Sequence, residues 1–143
     1  MADLESIARR GNDAFNDRDE AAARAVYTDG IRLRAPGMEE VTGKDAAIEF
    51  DKVWWDACSD AHSEITDIAV SGSTVLLGGV FTGTHDGVLR TPMGPVEATG
   101  KKLRGNYHWT FHFEGDLVAD AQILFDRMQV MEQLGLMPQP ATA

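Results

Sequence analysis

Two side chains of this 143-residue chain are the strongest candidates for moving a proton. His85 follows a long run of strand-forming residues, and an imidazole titrates at about pH 6.5. Tyr107 lies in a row of aromatic residues, where its hydroxyl could donate a hydrogen bond to a ligand carbonyl. We interpret both as candidate catalytic groups. The alternatives are a rim histidine bonded to a loop carbonyl and a core tyrosine whose hydroxyl is already satisfied.

Two arginines point to the same side of a predicted short strand. Arg32 and Arg34 are two residues apart, and residues at that spacing share a face of a strand. A guanidinium group can bind a carboxylate or an enolate through two parallel hydrogen bonds. We therefore count Arg32 among the candidate ligand-binding residues, with a solvated strand edge as the alternative for the pair.

The acidic residues give little sign of a site. Asp126 precedes the last predicted helix, and its spacing to Gln129 is that of a capping box, so we interpret it as a helix cap. We interpret Asp51, Glu97 and the remaining acids as solvated surface. The histidine and the tyrosine therefore remain the acid/base candidates.

The spacing of possible metal ligands is unfavourable. His108 and His112 are four residues apart on a predicted strand, about 13 Å at ~3.3 Å per residue, which is too far for one ion. Cys58 is the only cysteine, which excludes an intrachain disulfide and a thiolate metal site. The chain also holds no nucleophile elbow, P-loop, dinucleotide fingerprint or HExxH motif, so those enzyme classes are excluded.

The charge balance excludes several partners. With 13 Lys and Arg against 23 Asp and Glu, the formal net charge is −10, whereas nucleic-acid binding needs clustered cations. The same balance argues against an anionic membrane surface, and no stretch of about 18 apolar residues could span a bilayer. The first residues lack the basic start and apolar run of a signal peptide. We therefore expect a cytoplasmic protein with neither nucleic-acid nor membrane partners.

The order of elements predicts one α+β domain. Apolar residues make up 43% of the chain, an ordinary globular value, and we assign residues 1–137 to a single domain with a loose tail over 138–143. Amphipathic helices come first and strands follow, which indicates helices covering one face of a mostly antiparallel sheet. The predicted helices begin near Leu4, after Asp17, at Thr42 and at Arg127. The predicted strands are Ile31–Ala35, Ile65–Val70, Thr74–Thr84, Lys101–Phe113 and Leu117–Phe125, with a long loop over Asp86–Gly100.

Alternation along the last two strands predicts an apolar pocket. A three-residue turn, Glu114-Gly115-Asp116, would pair Phe113 with Leu117 and put the apolar residues of both strands on one side. A two-residue turn would bring the aromatic row to the side of Asp120, so we prefer the first register. Small residues opposite the rings would leave room for a ligand, although a core simply filled by aromatic side chains is the alternative. With Arg32, the candidate ligand-binding residues are Phe15, Trp54, Trp109, Phe111 and Ile123.

Several short motifs resemble those of one known family. They are Ala14-Phe15-Asn16, Gly83-Thr84-His85-Asp86-Gly87, Thr99-Gly100-Lys101-Lys102, Phe125-Asp126 and Gln133-Leu134-Gly135-Leu136. Together, in this order and over almost the whole chain, they resemble the SnoaL-like polyketide cyclases of the NTF2-like superfamily. The resemblance implies a cone of curved antiparallel sheet closed by three helices, with a short C-terminal helix. It also implies dimerisation through the outer sheet face and chemistry without a metal or an organic cofactor.

The resemblance implies an acid/base pair that this chain lacks. In the family's cyclases a buried Asp on the last strand and a His on the preceding strand serve an aldol ring closure. Counted back from Gln133-Leu134-Gly135, the Asp position falls on Ile123, and through the hairpin the His position falls on Trp109. Neither side chain can transfer a proton at neutral pH.

Two functions are consistent with these features. The first is a cyclase, isomerase or hydrolase that acts on an apolar polyketide- or terpenoid-like molecule, with His85 or Tyr107 moving protons. The second is a non-catalytic protein that binds an apolar ligand or serves as a dimeric accessory subunit. A buried titratable group with a shifted pKa and a partner would favour the enzyme, and an all-apolar lining would favour the binder. We expect a homodimer through the outer face, where Val118 and Leu124 would lie.

Overall fold

Residues 3–137 are described by the structure, which is a computed structural model. Residues 1–2 and the predicted tail over 138–143 lie outside the described residues. The elements are α1 (Leu4–Asp17), α2 (Glu20–Ala25), β1 (Tyr27–Arg34), β2 (Val41–Thr42), α3 (Lys44–Ala57), β3 (His62–Ser71), β4 (Thr74–Thr84), β5 (Leu89–Thr91), β6 (Gly94–Val96), β7 (Lys102–Glu114), β8 (Leu117–Phe125) and α4 (Arg127–Gln133).

Six of the strands form one sheet in the order β2-β1-β8-β7-β4-β3. Neighbouring strands are antiparallel except β1 and β8, which are parallel, and the helices pack on the sheet, so the predicted α+β class is confirmed. The β1 strand begins earlier than predicted because Tyr27 pairs with Val118 of β8. Within the predicted loop, β5 and β6 form a separate two-stranded hairpin.

The helix starts differ slightly from the predicted ones. Asp19, not Asp17, caps α2, and its carboxylate accepts a hydrogen bond from the Ala22 N–H at 3.0 Å. The α3 helix begins at Lys44, two residues after the predicted start at Thr42, and its N-cap residue is Gly43, which has no side chain to cap it. Asp126 caps α4 as predicted, since it accepts from the Gln129 N–H at 3.1 Å.

The β7–β8 hairpin has a different register from the predicted one, with the same outcome for most side chains. The turn has two residues, because Glu114 pairs with Leu117 and Phe113 pairs with Val118. Ala119 is then an extra, unpaired residue, a bulge that restores the original side-chain parity further along the strand. The apolar rows therefore share one face as predicted. Val118 is 3% exposed and points inward, so our expectation that it lies on the outer face was wrong.

Amide side chains fix α1 to the edge strand β3. Asn12 and Asn16 donate from Nδ2 to the Ser63 carbonyl at 3.1 and 2.9 Å, and the Ser63 N–H donates to Asn16 Oδ1 at 2.8 Å. These contacts satisfy the backbone N–H and C=O of Ser63 on the open edge of β3. The Ser63 hydroxyl bonds to that of Tyr107, and Gly79 leaves room for it, since a Cβ there would overlap the Tyr107 oxygen. The helix is therefore held at a fixed height above the inner face.

Candidate functional site

An elongated apolar cavity lies between the inner face of the sheet and helices α1, α3 and α4. Its volume is about 130 Å³, roughly ten times the ~10–15 Å³ that one buried water needs. Along the last strand its lining extends from Val118 to Asp126, a contour of about 26 Å at ~3.3 Å per residue. Most of the lining is aliphatic or aromatic, which is the usual form of a small-molecule site.

The structure brings together six of the eight predicted site residues. Those that line the cavity are Phe15, Trp54, Tyr107, Trp109, Phe111 and Ile123. Trp109 and Ile123, where the resemblance implies His and Asp, face each other across the β7–β8 pair. The adjacent tryptophans diverge, because Trp54 lines the cavity while the Trp55 indole N–H donates to the Phe15 carbonyl at 3.0 Å.

Arg32 does not line the cavity. It lies on the outer face of the sheet, where its side chain is 57% exposed and 3.2 Å from the Asp120 carboxylate. Arg34 donates to the same carboxylate at 2.7 Å. Two cations thus neutralise one nearly buried acid. The exposed Arg32 fits the alternative of a solvated position better than ligand binding, although β1 is not an edge strand.

His85 is also outside the lining, although it is fully buried. Its Nδ1 accepts a hydrogen bond from the Thr99 N–H at 3.2 Å and lies 2.9 Å from the Thr99 hydroxyl oxygen. Its backbone is hydrogen-bonded to the residues that precede β7: its N–H donates to the Lys101 carbonyl, and its carbonyl accepts from the Gly100 N–H. This histidine therefore anchors the connection into β7, and its side chain is not part of the cavity lining.

Tyr107 reaches the cavity with its ring, but its hydroxyl is already engaged. It forms a buried hydrogen bond with the Ser63 hydroxyl. Burial raises the pKa of Tyr107, and the bond to Ser63 offsets part of this rise. The geometry is that of a core tyrosine with a satisfied hydroxyl.

The cavity contains a carboxyl group that the sequence analysis placed on the surface. Asp51 lies in α3, between Phe50 and Trp54, and it lines the cavity. Burial disfavours its charged form and raises the pKa of Asp51 to about 7. Near neutral pH this group can therefore both accept and release a proton. The signal was present in the sequence: Asp51 stands at helical spacing from Ala47 and Trp54, inside an apolar stripe.

Tyr27 is the second residue that the sequence analysis missed. It is the first residue of β1 and lines the same cavity. Burial raises the pKa of its hydroxyl, and the nearby negative charge of Asp51 raises it further. Within residues 3–137, neither the Tyr27 hydroxyl nor the Asp51 carboxyl forms a side-chain hydrogen bond or an ion pair, and both residues line the cavity. Sequence parity could not identify Tyr27, because we predicted the strand to begin at Ile31.

The mouth of the cavity lies between β7 and α4. The exposed residues in the lining are Arg104, Asn106, Asp126 and Gln129, and all four belong to this end. Gln133 of α4 accepts from the Arg104 N–H at 2.9 Å and donates to the Arg104 carbonyl at 2.7 Å. Gly105 lies beneath the helix, and a Cβ there would meet only Gln129, at 3.1 Å. The helix thus covers the cavity through few contacts.

Metal ligands do not converge in the part of the chain that the structure describes. Over residues 3–137, no three His, Cys, Asp or Glu side chains are grouped so that they could hold an ion. Burial raises the pKa of Cys58 to about 11, so it remains a protonated thiol, which is a poor ligand. Over the same residues, no helix has the length and apolar character needed to cross a bilayer.

A larger side chain in the cavity wall should weaken the binding of an apolar ligand. We expect the neutral fluorophore N-phenyl-1-naphthylamine to bind to the protein, and Ile123→Phe, which enlarges a wall residue, to weaken this binding at least about tenfold. Leu124→Phe is the matched control, because the neighbouring side chain is 57% exposed on the other face of the same strand. Fluorescence titration measures both affinities. Equal affinities for the two variants would contradict binding in the cavity.

Comparisons with known proteins agree with this architecture. The chain matches the SnoaL-like polyketide cyclase family over residues 5–134. It is similar to a protein of Jannaschia sp. CCS1 assigned as a SnoaL-like polyketide cyclase, with a TM-score of 0.83 and 20% identity over 94% of this chain and 93% of that one. No curated protein sequence matches the chain.

Two further solved structures come from Streptomyces. AclR of Streptomyces galilaeus, assigned as a hydroxylase, has a TM-score of 0.81 and 19% identity over 99% of this chain and 86% of that one. IdmH of Streptomyces antibioticus, assigned as a polyketide cyclase, has a TM-score of 0.77 and 19% identity over 94% and 99%. Such identities show the fold, the NTF2-like cone that the resemblance implied, and the match over nearly the whole length shows the family. The chain belongs to the SnoaL-like polyketide cyclase family.

Proposed function

We propose that this protein is a proton-transfer enzyme that acts on an apolar, polyketide-like small molecule held in the cavity. The observation that carries the proposal is Asp51, a carboxyl group with a pKa of about 7 inside a largely apolar site. A general acid or base works best when its pKa lies near the working pH. Titratable groups that burial perturbs in this way concentrate at functional sites.

The carboxyl group enters the cavity from the helical side. Trp109 and Ile123 occupy the sheet positions where the resemblance implies the acid and the base. The α3 helix packs directly on this part of the sheet, since the ring centroids of Phe50 and Trp109 are 6.0 Å apart. Asp51 is the next residue along that helix. We infer that α3 supplies the proton-transfer group in place of β7 and β8.

The reaction class that we favour is a cyclisation or isomerisation that begins with loss of a proton next to a carbonyl. One carboxylate suffices for this step, whereas a hydrolase would also need a positioned water. The apolar walls would hold the carbon skeleton and exclude water from the reactive intermediate. Proton transfer by a carboxyl group requires no cofactor. The cyclase assignments of the proteins from Jannaschia and Streptomyces antibioticus support this choice within the family.

A second candidate function is binding of an apolar ligand without turnover. The replacement of both family positions by Trp109 and Ile123 favours it, and so does the predominance of apolar side chains in the lining. A simple binding cavity, however, gains nothing from an unpaired acid, because burying a carboxyl group costs free energy. The enzyme is therefore the better-supported proposal.

The proposed proton transfer predicts a measurable turnover reaction. In deuterium oxide, the protein is expected to accelerate hydrogen–deuterium exchange at the methyl group of 6-acetyl-2-methoxynaphthalene, an apolar aryl ketone, and Asp51→Asn should lower this rate at least about 100-fold. The wild-type rate should rise with pH through about 7, because the ionised carboxylate is the base. Proton NMR follows the exchange.

A matched control separates the cavity acid from surface charge. Asp13→Asn removes an exposed carboxylate of α1 outside the cavity lining and should leave the exchange rate unchanged. If the wild-type protein gives no exchange above background, or if Asp51→Asn exchanges as fast as Asp13→Asn, Asp51 is not the proton-transfer group.

The second prediction concerns stability and needs no substrate. Because the pKa of Asp51 is raised from 3.8 to about 7 on folding, the folded state holds more protons than the unfolded state between these values. The free energy of unfolding therefore falls as pH rises through this window. Asp51→Asn removes this effect and should stabilise the protein at pH 8 by up to about 4 kcal/mol, at ~1.36 kcal/mol per pKa unit, and by much less at pH 4. Denaturant unfolding at both pH values measures the gain, and a gain independent of pH would be the contrary result.

We also propose that the protein is a homodimer through the outer sheet face. Leu76 and Leu124 are 53% and 57% exposed on this face, and exposed apolar patches on a sheet mark association surfaces. Leu124→Asp is expected to give a monomer of 15.6 kDa by light scattering. Met93→Asp changes a more exposed residue, on the β5–β6 hairpin, and should leave the dimer intact. A wild-type monomer would refute the proposal.

A further inference from the structure

Within residues 3–137, the Tyr27 hydroxyl and the Asp51 carboxyl line the cavity and form no side-chain hydrogen bond or ion pair. Apart from the polar residues at the mouth and the groups joined to Ser63, the lining around Tyr27 and Asp51 is aliphatic or aromatic. Buried polar groups are normally hydrogen-bonded, and an unpaired one costs free energy. A pair of unsatisfied groups on facing elements, β1 and α3, therefore defines the place where polar atoms of a ligand are expected.

The chemistry of this pair restricts the ligand atom. Tyr27 is held in its neutral form by burial and by the Asp51 charge, so its hydroxyl is a donor. An anionic ligand group would be repelled by Asp51 in a medium of low dielectric constant. A cationic group would pair with Asp51 and leave the Tyr27 donor without an acceptor. A neutral carbonyl satisfies the donor and places its acidic α-hydrogen near the carboxylate.

We propose that Tyr27 is a further catalytic residue, which donates its hydroxyl hydrogen bond to the substrate carbonyl oxygen while Asp51 removes the adjacent α-proton. The inference rests on the proposed function, because it assigns the second group of the same site. Donors aimed at an oxygen where negative charge develops commonly contribute a large part of the rate acceleration.

Enolate formation and the reactions that follow it use only the proton and the electron pairs of the substrate, Asp51 and Tyr27. Asp51 takes the α-proton, the C–H electron pair becomes the carbon–carbon π bond, and the carbonyl π pair moves onto oxygen, where Tyr27 stabilises the enolate. The enolate then reacts in one of two ways. Where a carbon–carbon double bond is conjugated with it, the γ-carbon takes the proton from Asp51 and the double bond moves; otherwise the α-carbon attacks a second carbonyl of the same molecule. In the second case the new carbon–carbon bond closes a ring, and the proton on Asp51 passes to the new alkoxide. No oxidant or reductant is consumed.

The test uses a ketone and a matched hydrocarbon. The ketone is 6-acetyl-2-methoxynaphthalene, and the hydrocarbon is 6-ethyl-2-methoxynaphthalene, which has the same shape but no carbonyl oxygen. Tyr27→Phe should weaken ketone binding about fivefold, the usual effect of one neutral hydrogen bond, and leave hydrocarbon binding unchanged. The infrared carbonyl stretch of the bound ketone should lie at lower frequency in the wild type than in Tyr27→Phe.

The rate of hydrogen–deuterium exchange is a second measurement that tests the role of Tyr27. Tyr27→Phe should slow the exchange of the ketone methyl hydrogens about 100-fold while ketone binding falls only about fivefold, because the hydrogen bond strengthens as charge develops on oxygen. A wild-type carbonyl stretch equal to that in an apolar solvent would overturn the proposal without any variant. Equal losses of ketone and hydrocarbon affinity in Tyr27→Phe would also overturn it, since they would report a packing defect.

The outcomes distinguish this inference from the proposed function. Exchange that Asp51→Asn abolishes but Tyr27→Phe leaves unchanged keeps the function and refutes Tyr27. A carbonyl shift and selective ketone binding that depend on Tyr27, without any exchange, support the hydrogen bond and refute proton transfer by Asp51.

Discussion

Aromatic side chains of α3 rest on the sheet and set the height of the cavity. The ring of Trp54 lies 5.2 Å from that of Phe81 and 5.7 Å from that of Phe125, and Phe50 lies 6.0 Å from Trp109. These contacts are tilted or edge-to-face, so the rings meet at their edges instead of stacking flat, and space remains between them. The same helix also carries Asp51, the carboxyl group that lines the cavity between these rings.

Burial of the Asp51 carboxyl group in this cavity lowers the stability of the folded protein and brings the pKa of the group close to neutral pH. Asp51 loses much of its hydration and forms no hydrogen bond or ion pair with the other side chains of residues 3–137, and burial shifts its pKa toward neutrality. The neighbouring Tyr27 hydroxyl experiences the same low dielectric environment and is held protonated. Folded proteins tolerate such groups mainly at functional sites, where the cost is offset by packing elsewhere. Here the β7–β8 pairing and the attachment of α1 to β3 provide a rigid frame around the site.

The site also illustrates how one fold supports different chemistry. In this chain the sheet positions implied by the family resemblance carry Trp109 and Ile123, which form apolar walls. The cavity still contains a titratable carboxyl group, because α3 packs on the same region of the sheet and carries Asp51. The fold fixes a hollow surrounded by a sheet and helices, while the position of the reactive group depends on which surrounding element carries it.

The sequence by itself determined the α+β class, the amphipathic helices, the inward aromatic row and the Asp126 cap, because these depend on local periodicity and short-range hydrogen bonds. Tertiary structure decided the rest. The bulge at Ala119 set the hairpin register, since pairing with a neighbouring strand absorbs one residue that alternation cannot reveal. His85, expected at the site, lies outside the cavity lining, whereas Asp51, expected on the surface, lines the cavity. Burial and pKa depend on which elements pack together, and a linear pattern does not contain the distances between them.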